Sequence, residues 1–358
     1  MTLLERALSE EHHDVLDRAE TFATETLAPR AEEIENTREF PRDVVEAAGD
    51  AGLLGILIPE EYGGLGGDFV SYCLALERIA EESGAVAEII QGHTFATLPV
   101  LNFGSDEQRE RLLPKMVAGE SVGAMLLTEP GAGSSPTELQ TVAEATDDGY
   151  LISGEKSFGT NAGVADVHLV VARKRPQPED SHGVSVFIVP SPEDVAVDAD
   201  ALLGRVGGGF RIAMGTIDMA RTGLGAIGLG IGRAAFDEAV DYAGDREQGG
   251  KAVGEYQAVQ VLVAEMDSKL ESARNLVYDS AVRIADGEGD TRVSSRAKFT
   301  ASDAAEFCAR NAMQIFGGKG YRTDYPLERY YRDARILSII GGTSEIQKTT
   351  VASEALGL

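Results

Sequence analysis

At 358 residues the chain is long enough for two or three structural units of ~150 residues each. Its 59 Asp and Glu stand against 32 Lys and Arg, only 8 of them Lys, and the resulting net charge of −27 repels nucleic acid. No apolar run approaches the ~18–20 residues of a membrane helix, and the opening MTLLERALSEEHHD has no basic-then-apolar signal pattern, so the expectation is a soluble, cytoplasmic protein with no membrane insertion.

The acids are spread along the whole chain, which predicts a solvated surface adapted to high salt rather than one acidic docking patch. Cys73 and Cys308 have no cysteine or histidine at ligand spacing and read as buried thiols. His12, His13, His93, His168 and His182 form no metal-binding cluster.

Residues 1–120 carry helical periodicity: Leu16, Ala19, Phe22 and Ala23 recur before Pro29, and FPRDVVEAAGDAGLLG reads as a helix closing at Gly52. From Gly123 the texture changes to short apolar runs, GAMLLTEP, YLISGEKSF, VHLVVAR and VSVFIVP, separated by Asp147-Asp148-Gly149 and by the polar loop KRPQPEDSHG, so 121–205 is expected to be a β domain. After Gly207-Gly208-Gly209 the helical period returns. Val259, Leu262, Met266, Leu270, Ala273 and Val277 form one stripe and Phe299 to Phe316 another, so 206–358 is expected to be a helix bundle with those stripes in its core. The fold class expected is α+β.

Gly223, Gly225 and Gly228 in GLGAIG satisfy a dinucleotide-binding spacing, but no strand precedes them. They lie within a continuous helical pattern from Phe210 to Tyr242, where small residues let helices approach closely.

LLTEPGAGSSP, residues 126–136, runs a strand into a glycine-rich turn whose N–H groups and hydroxyls could face an electron-rich ring or a phosphate; alone it could be merely a tight turn. GEKSFGTNAG, residues 154–163, adds a second strand end with an aromatic and a threonine, and QIFGGKGY (314–321) and GGTSEIQ (341–347) follow. With DREQGGK and RDARI, these motifs give the chain a resemblance to the acyl-CoA dehydrogenase family over nearly its whole length.

The resemblance implies a helical N-terminal domain, a β-barrel-like middle domain, a C-terminal four-helix bundle and non-covalently bound FAD. It implies that Met125, Leu127 and Thr128 bond the flavin edge, that Phe158 stacks on the ring where most members have Trp, and that Thr160 approaches N5. Arg246 matches an arginine that reaches the FAD pyrophosphate of a neighbouring subunit, Gln314, Gly317 and Gly318 the loop receiving it, and Thr343 and Glu345 the adenosine-side contacts. Ser134, also expected among the cofactor contacts, Asp218 and Arg221 fall where the acyl-CoA is contacted, the alternative for Arg221 being an ion pair on a helix surface. The partners implied are an acyl-CoA, like or related subunits in a homo- or heterotetramer, and an electron-transferring flavoprotein as acceptor.

One group is missing. The family's reaction takes an α-proton from the thioester with a glutamate that stands before Gly-Thr in the last motif or, in some subfamilies, before the arginine that matches Arg221. These positions are Gly341 and Ala220. Gly249 likewise replaces an aromatic, and the segment from Val189 to Gly204 is short for the family. Loss of a general base costs ~10²–10⁴ in rate. Three readings stay open: Glu88 or His93 stands in, although a solvated helix position accounts for either; the chain is the base-lacking subunit of a heteromeric dehydrogenase; or it is a non-dehydrogenating FAD scaffold or pseudoenzyme.

Overall fold

The computed structural model describes residues 8–135, 138–175, 183–190 and 195–358. Outside them lie the first half of the opening segment, Pro136, His182 and most of the polar loop expected at 174–183. Two compact units divide the chain. One comprises Asn36–Gly67 and Glu88–Ile217; the other comprises the segment ending at Glu35, Asp68–Ala87 and Asp218–Leu358.

The helices of the first third are α1 (Glu10–Thr21), α2 (Ala31–Thr37), α3 (Arg42–Asp50), α4 (Phe69–Glu82), α5 (Gly84–Phe103) and α6 (Asp106–Val117). Their starts follow local chemistry. The Asp68 carboxylate accepts the Ser71 N–H at 2.8 Å ahead of α4, and Ser105 Oγ accepts the Gln108 N–H at 3.2 Å ahead of α6.

In the first unit the sheet comprises β1 (Gly123–Leu126), β2 (Val142–Ala145), β3 (Gly149–Ser153), β4 (Val167–Arg175), β5 (Val184–Val189), β6 (Val195–Asp198) and β7 (Leu202–Leu203). The order is β6-β3-β2-β4-β5-β7, with β1 parallel to the first half of β4. Leu169, Val171, Val186 and Ile188 pack on one face with Ala96, Val100, Leu113 and Met116; Val170, Ala172, Phe187 and Val189 pack on the other with Ala124, Leu126 and Ile152. Burial on both faces explains why β4 and β5 read as continuous apolar runs. Strand β2 went unseen in the sequence because its residues are VAEA and only Ala143 is buried.

In the second unit α7 (Gly209–Asp245, from Asp218 onward), α8 (Gln257–Ala285), α9 (Thr291–Phe316), α10 (Leu327–Leu337) and α11 (Ser344–Leu356) pack with α1 and α4. GLGAIG is helical, as expected: a Cβ on Gly225 would lie 2.8 Å from Val277 Cγ2, so its role is close helix packing. The α8 stripe needs one correction. Met266, Leu270, Ala273 and Val277 are buried, but Val259 and Leu262 are only partly covered, and Val259 lines a surface groove of about 470 Å³. Buried Glu77 on α4 accepts from Arg274 and, at 2.5 Å, from the Tyr278 hydroxyl of α8, which offsets part of its desolvation, and burial still leaves its pKa raised. Both cysteines are buried and free. Among the described residues no helix is long and apolar enough to cross a membrane.

Candidate functional site

The sheet-containing unit brings two of the predicted motifs together. Met125 on β1 and Leu127 just beyond it are partly covered by the core, and Thr128 accepts the Ser157 N–H at 2.9 Å through its carbonyl. Buried Glu129 organises the turn. Its carboxylate accepts the Gln140 N–H (2.5 Å), the Thr141 N–H (3.0 Å), the Thr141 hydroxyl (2.6 Å) and Lys156 Nζ (2.7 Å). Lys156 also donates to Leu127 O at 3.1 Å. Burial raises the Glu129 pKa, but the bonds from Lys156, Thr141 and the backbone outweigh it and hold it at about 2.

This Glu129–Lys156 clamp escaped the sequence reading. The available signal was an acid and a lysine placed at two strand ends inside quoted motifs. Beyond the clamp Gly131 and Gly133 have open space where a Cβ would stand, and Ser134 is exposed.

The clamp fixes the start of a loop that presents Phe158. This phenylalanine has φ +56 and is 95% exposed. A bulky residue in left-handed backbone costs about 1–3 kcal/mol, and an uncovered ring adds exposed apolar surface. Both features fit a planar ring system stacking on Phe158, with the open turn at Gly131–Ser134 leaving room for polar groups, so these residues fit a flavin. Asn161, φ +67, pins the loop by donating from Nδ2 to Ile89 O (3.0 Å) and Gly123 O (3.3 Å). Thr160 Oγ1 donates to Glu88 Oε1 at 3.2 Å.

The second unit holds the remaining predicted residues. Arg221 on α7 donates to Asp218 Oδ1 at 2.6 Å, and Asp218 Oδ2 accepts the Thr291 hydroxyl at 2.8 Å. Arg221 is buried rather than lying on a helix surface, its Nε has no hydrogen-bond partner, and burial lowers its pKa. It is therefore a held cation whose Nε donor is unused. Gly341, φ +62, and Gly342, φ +88, form a tight turn whose carbonyls accept Gln347 Nε2 at 3.0 and 3.1 Å, while buried Lys298 donates to Gly342 O at 2.9 Å. Thr343 Oγ1 caps α11 by accepting the Ile346 N–H at 3.3 Å, and Glu345 is exposed in its first turn.

Gln314 is exposed near the end of α9, and Gly317, φ +62, and Gly318 have open space where a Cβ would stand. Arg246 is exposed at the start of a short hairpin. There Gly249 has φ +64 and a Cβ would meet the Tyr256 hydroxyl at 2.5 Å, so Tyr256 occupies the space a side chain at 249 would need.

Neither usual base position carries a carboxylate, and Ala220 is buried within α7. The two expected stand-ins differ: His93 is not solvated, whereas Glu88 is partly so. His93 is fully buried, its Nδ1 accepts the Gly123 N–H at 3.1 Å, and burial pushes its pKa down to about 4, which makes it a neutral core residue holding β1. Glu88 is half-buried and bonded to Thr160 and Gln91.

Comparison with known proteins gives three matches to family models. Residues 9–120 match the acyl-CoA dehydrogenase N-terminal domain, 124–211 its middle domain and 207–356 its C-terminal domain. An acyl-CoA dehydrogenase of Bacillus subtilis is 39% identical over 94% of this chain and 95% of its own length. A chain from a structure of the electron transferring flavoprotein of Acidaminococcus fermentans superposes with a TM-score of 0.95 at 35% identity, covering 99% of this chain and all of the other. An acyl-CoA dehydrogenase of Bacillus anthracis, solved in complex with FAD, gives 0.91 at 30% identity over 98% of this chain and 68% of that one.

Proposed function

Because the chain belongs to the acyl-CoA dehydrogenase family and is an FAD-dependent oxidoreductase of acyl-CoA thioesters, we propose that it acts as the flavin-holding member of a complex in which a related subunit supplies the α-carbon base. The observation that carries the flavin half is Phe158, an exposed ring held in left-handed backbone between the Glu129–Lys156 clamp and Asn161. The observation that carries the partner half is the Gly341–Gly342 turn, which bears no side chain and has its carbonyls bonded to Gln347 and Lys298.

Bound FAD supplies a hydride acceptor for the substrate's β-carbon. Met125, Leu127 and Thr128 would bond the ring edge, Phe158 would cover it and exclude water, and Thr160 would lie at N5. Gln314, Gly317, Gly318 and the Arg246 of a neighbouring subunit would hold the diphosphate, and Thr343 and Glu345 the adenosine side. Arg221, with its unused donor, Asp218 and Ser134 would orient the acyl-CoA. The N-terminal, middle and C-terminal regions would divide near residues 120 and 205. Electrons would leave to an electron-transferring flavoprotein, in keeping with the Acidaminococcus structure, and the cytoplasm is the compartment we assign.

The test is to purify the chain alone and together with a relative that keeps the glutamate before Gly-Thr, and to follow bleaching of bound FAD by acyl-CoA. Bleaching ~10²-fold faster in the pair is the expected result. Ordinary turnover by the chain alone would overturn the partner half, and absence of bound FAD at high salt would overturn the whole reading.

A further inference from the structure

Thr160 is held from two sides within one unit. Its methyl group occupies the gap left by Gly92, where a Cβ would lie 2.5 Å from Thr160 Cγ2. Its hydroxyl donates to Glu88 Oε1 at 3.2 Å, and Gln91 Nε2 donates to Glu88 Oε2 at 3.3 Å. The neighbouring Asn161 amide ties the same loop to Ile89 O and Gly123 O. Backbone and side chain are thus both fixed.

A threonine hydroxyl has one proton and two lone pairs. With the proton committed to Glu88, Thr160 can accept a hydrogen bond from a neighbouring group but has none to donate. Glu88 sits in a stretch of α5 where Val86, Ala87, Ile90 and Gln91 are buried, so a carboxylate there is partly desolvated. Its charge therefore acts on its surroundings more strongly than an exposed carboxylate would.

We propose that Glu88 is a positioning residue which, through Thr160, holds the reduction potential of the bound flavin low. This rests on the flavin reading above. Reduction adds electron density to the ring, which a fixed negative charge one hydrogen bond away opposes. The acceptor-only hydroxyl works the other way by favouring a ring N–H, but a full charge in a partly water-excluded site outweighs one neutral hydrogen bond. The chain would then suit a donor whose oxidation delivers electrons at low potential.

The experiment is a spectroelectrochemical titration of the FAD-loaded chain. Glu88→Gln keeps an acceptor for Thr160 and removes only the charge. It should raise the potential so that the reduced-to-oxidised ratio at a fixed ambient potential increases about tenfold, which is about 30 mV for a two-electron couple. In a Thr160→Val background the same substitution should still raise the ratio, because the charge acts through space, and the difference between the two shifts isolates the part that the hydroxyl carries. Glu88→Ile serves as the second charge-removing variant should Glu88→Gln release its FAD, and the same upward shift is expected.

An unchanged potential in a charge-removing variant that retains FAD overturns the proposal. If that variant also loses acyl-CoA-driven bleaching, the carboxylate is a proton acceptor instead. Failure of the unmodified chain to bind FAD appears before any potential is measured; it overturns the flavin reading and this inference with it.

Discussion

A Cβ on Gly341 would lie 2.3 Å from Leu224 Cδ1, and the Gly341 backbone has φ +62. The position that would carry the family's glutamate is therefore closed by packing as well as by backbone conformation.

Gly341→Glu should cost about 1–2 kcal/mol from left-handed backbone alone, more where Leu224 cannot swing aside, and thermal melting will show it. Where the fold survives, acyl-CoA-driven bleaching should rise ~10²-fold once a carboxylate is present. Ala220→Glu avoids the backbone strain, since Ala220 is helical, but buries the new carboxylate. No gain from either variant in a folded, FAD-loaded protein would remove the missing base as the reason for low activity.

Phe158 links strain to binding. Phe158→Gly should raise the melting temperature of the flavin-free protein, because glycine adopts φ +56 without penalty. The same change should weaken FAD retention on gel filtration. Stability and affinity moving in the same direction would contradict a stacking role.

The clamp sets a pH dependence. Glu129 has its folded pKa at about 2, below its ordinary value of 4.5. Its contribution to stability is therefore complete above about 4.5 and disappears as pH falls towards 2. Glu129→Gln leaves Lys156 buried without its counter-charge and should cost about 3–5 kcal/mol at pH 7. Adding Lys156→Met should recover part of that loss, and urea titrations at pH 7 and pH 3 will show whether the penalty shrinks in acid. Equal penalties at both pH values would show that the carboxylate charge is not what matters.

The charge of −27 predicts a strong response to salt. The melting temperature should rise between 0.1 and 2 M KCl, and more steeply if the chain assembles, since the charge then multiplies. A flat profile would mean that local ion pairs such as Arg78 with Glu20, Glu81 and Glu82 already neutralise the repulsion.

The sequence by itself determined the elements whose information is local. Strands β4 and β5 announced themselves as unbroken apolar runs, α7 by helical periodicity through GLGAIG, and the loops at 128–134, 154–163 and 341–343 by motifs whose glycines and hydroxyls sit at fixed spacing. It also determined that positions 341 and 220 carry no carboxylate, because the identity of a side chain needs no coordinates.

Only the tertiary structure decided what depends on residues distant in the chain. Glu88 and Thr160 are 72 positions apart, Glu129 and Lys156 are 27 apart, and nothing in either neighbourhood signals the pairing. Tertiary placement also separated His93 from Glu88: one faces the core and holds β1, whereas the other reaches the Phe158 loop. Periodicity places a residue on a face of its own helix, but which polar atom waits on the opposing element is set by packing, and that choice made one candidate inert and left the other bonded to the loop that carries Phe158.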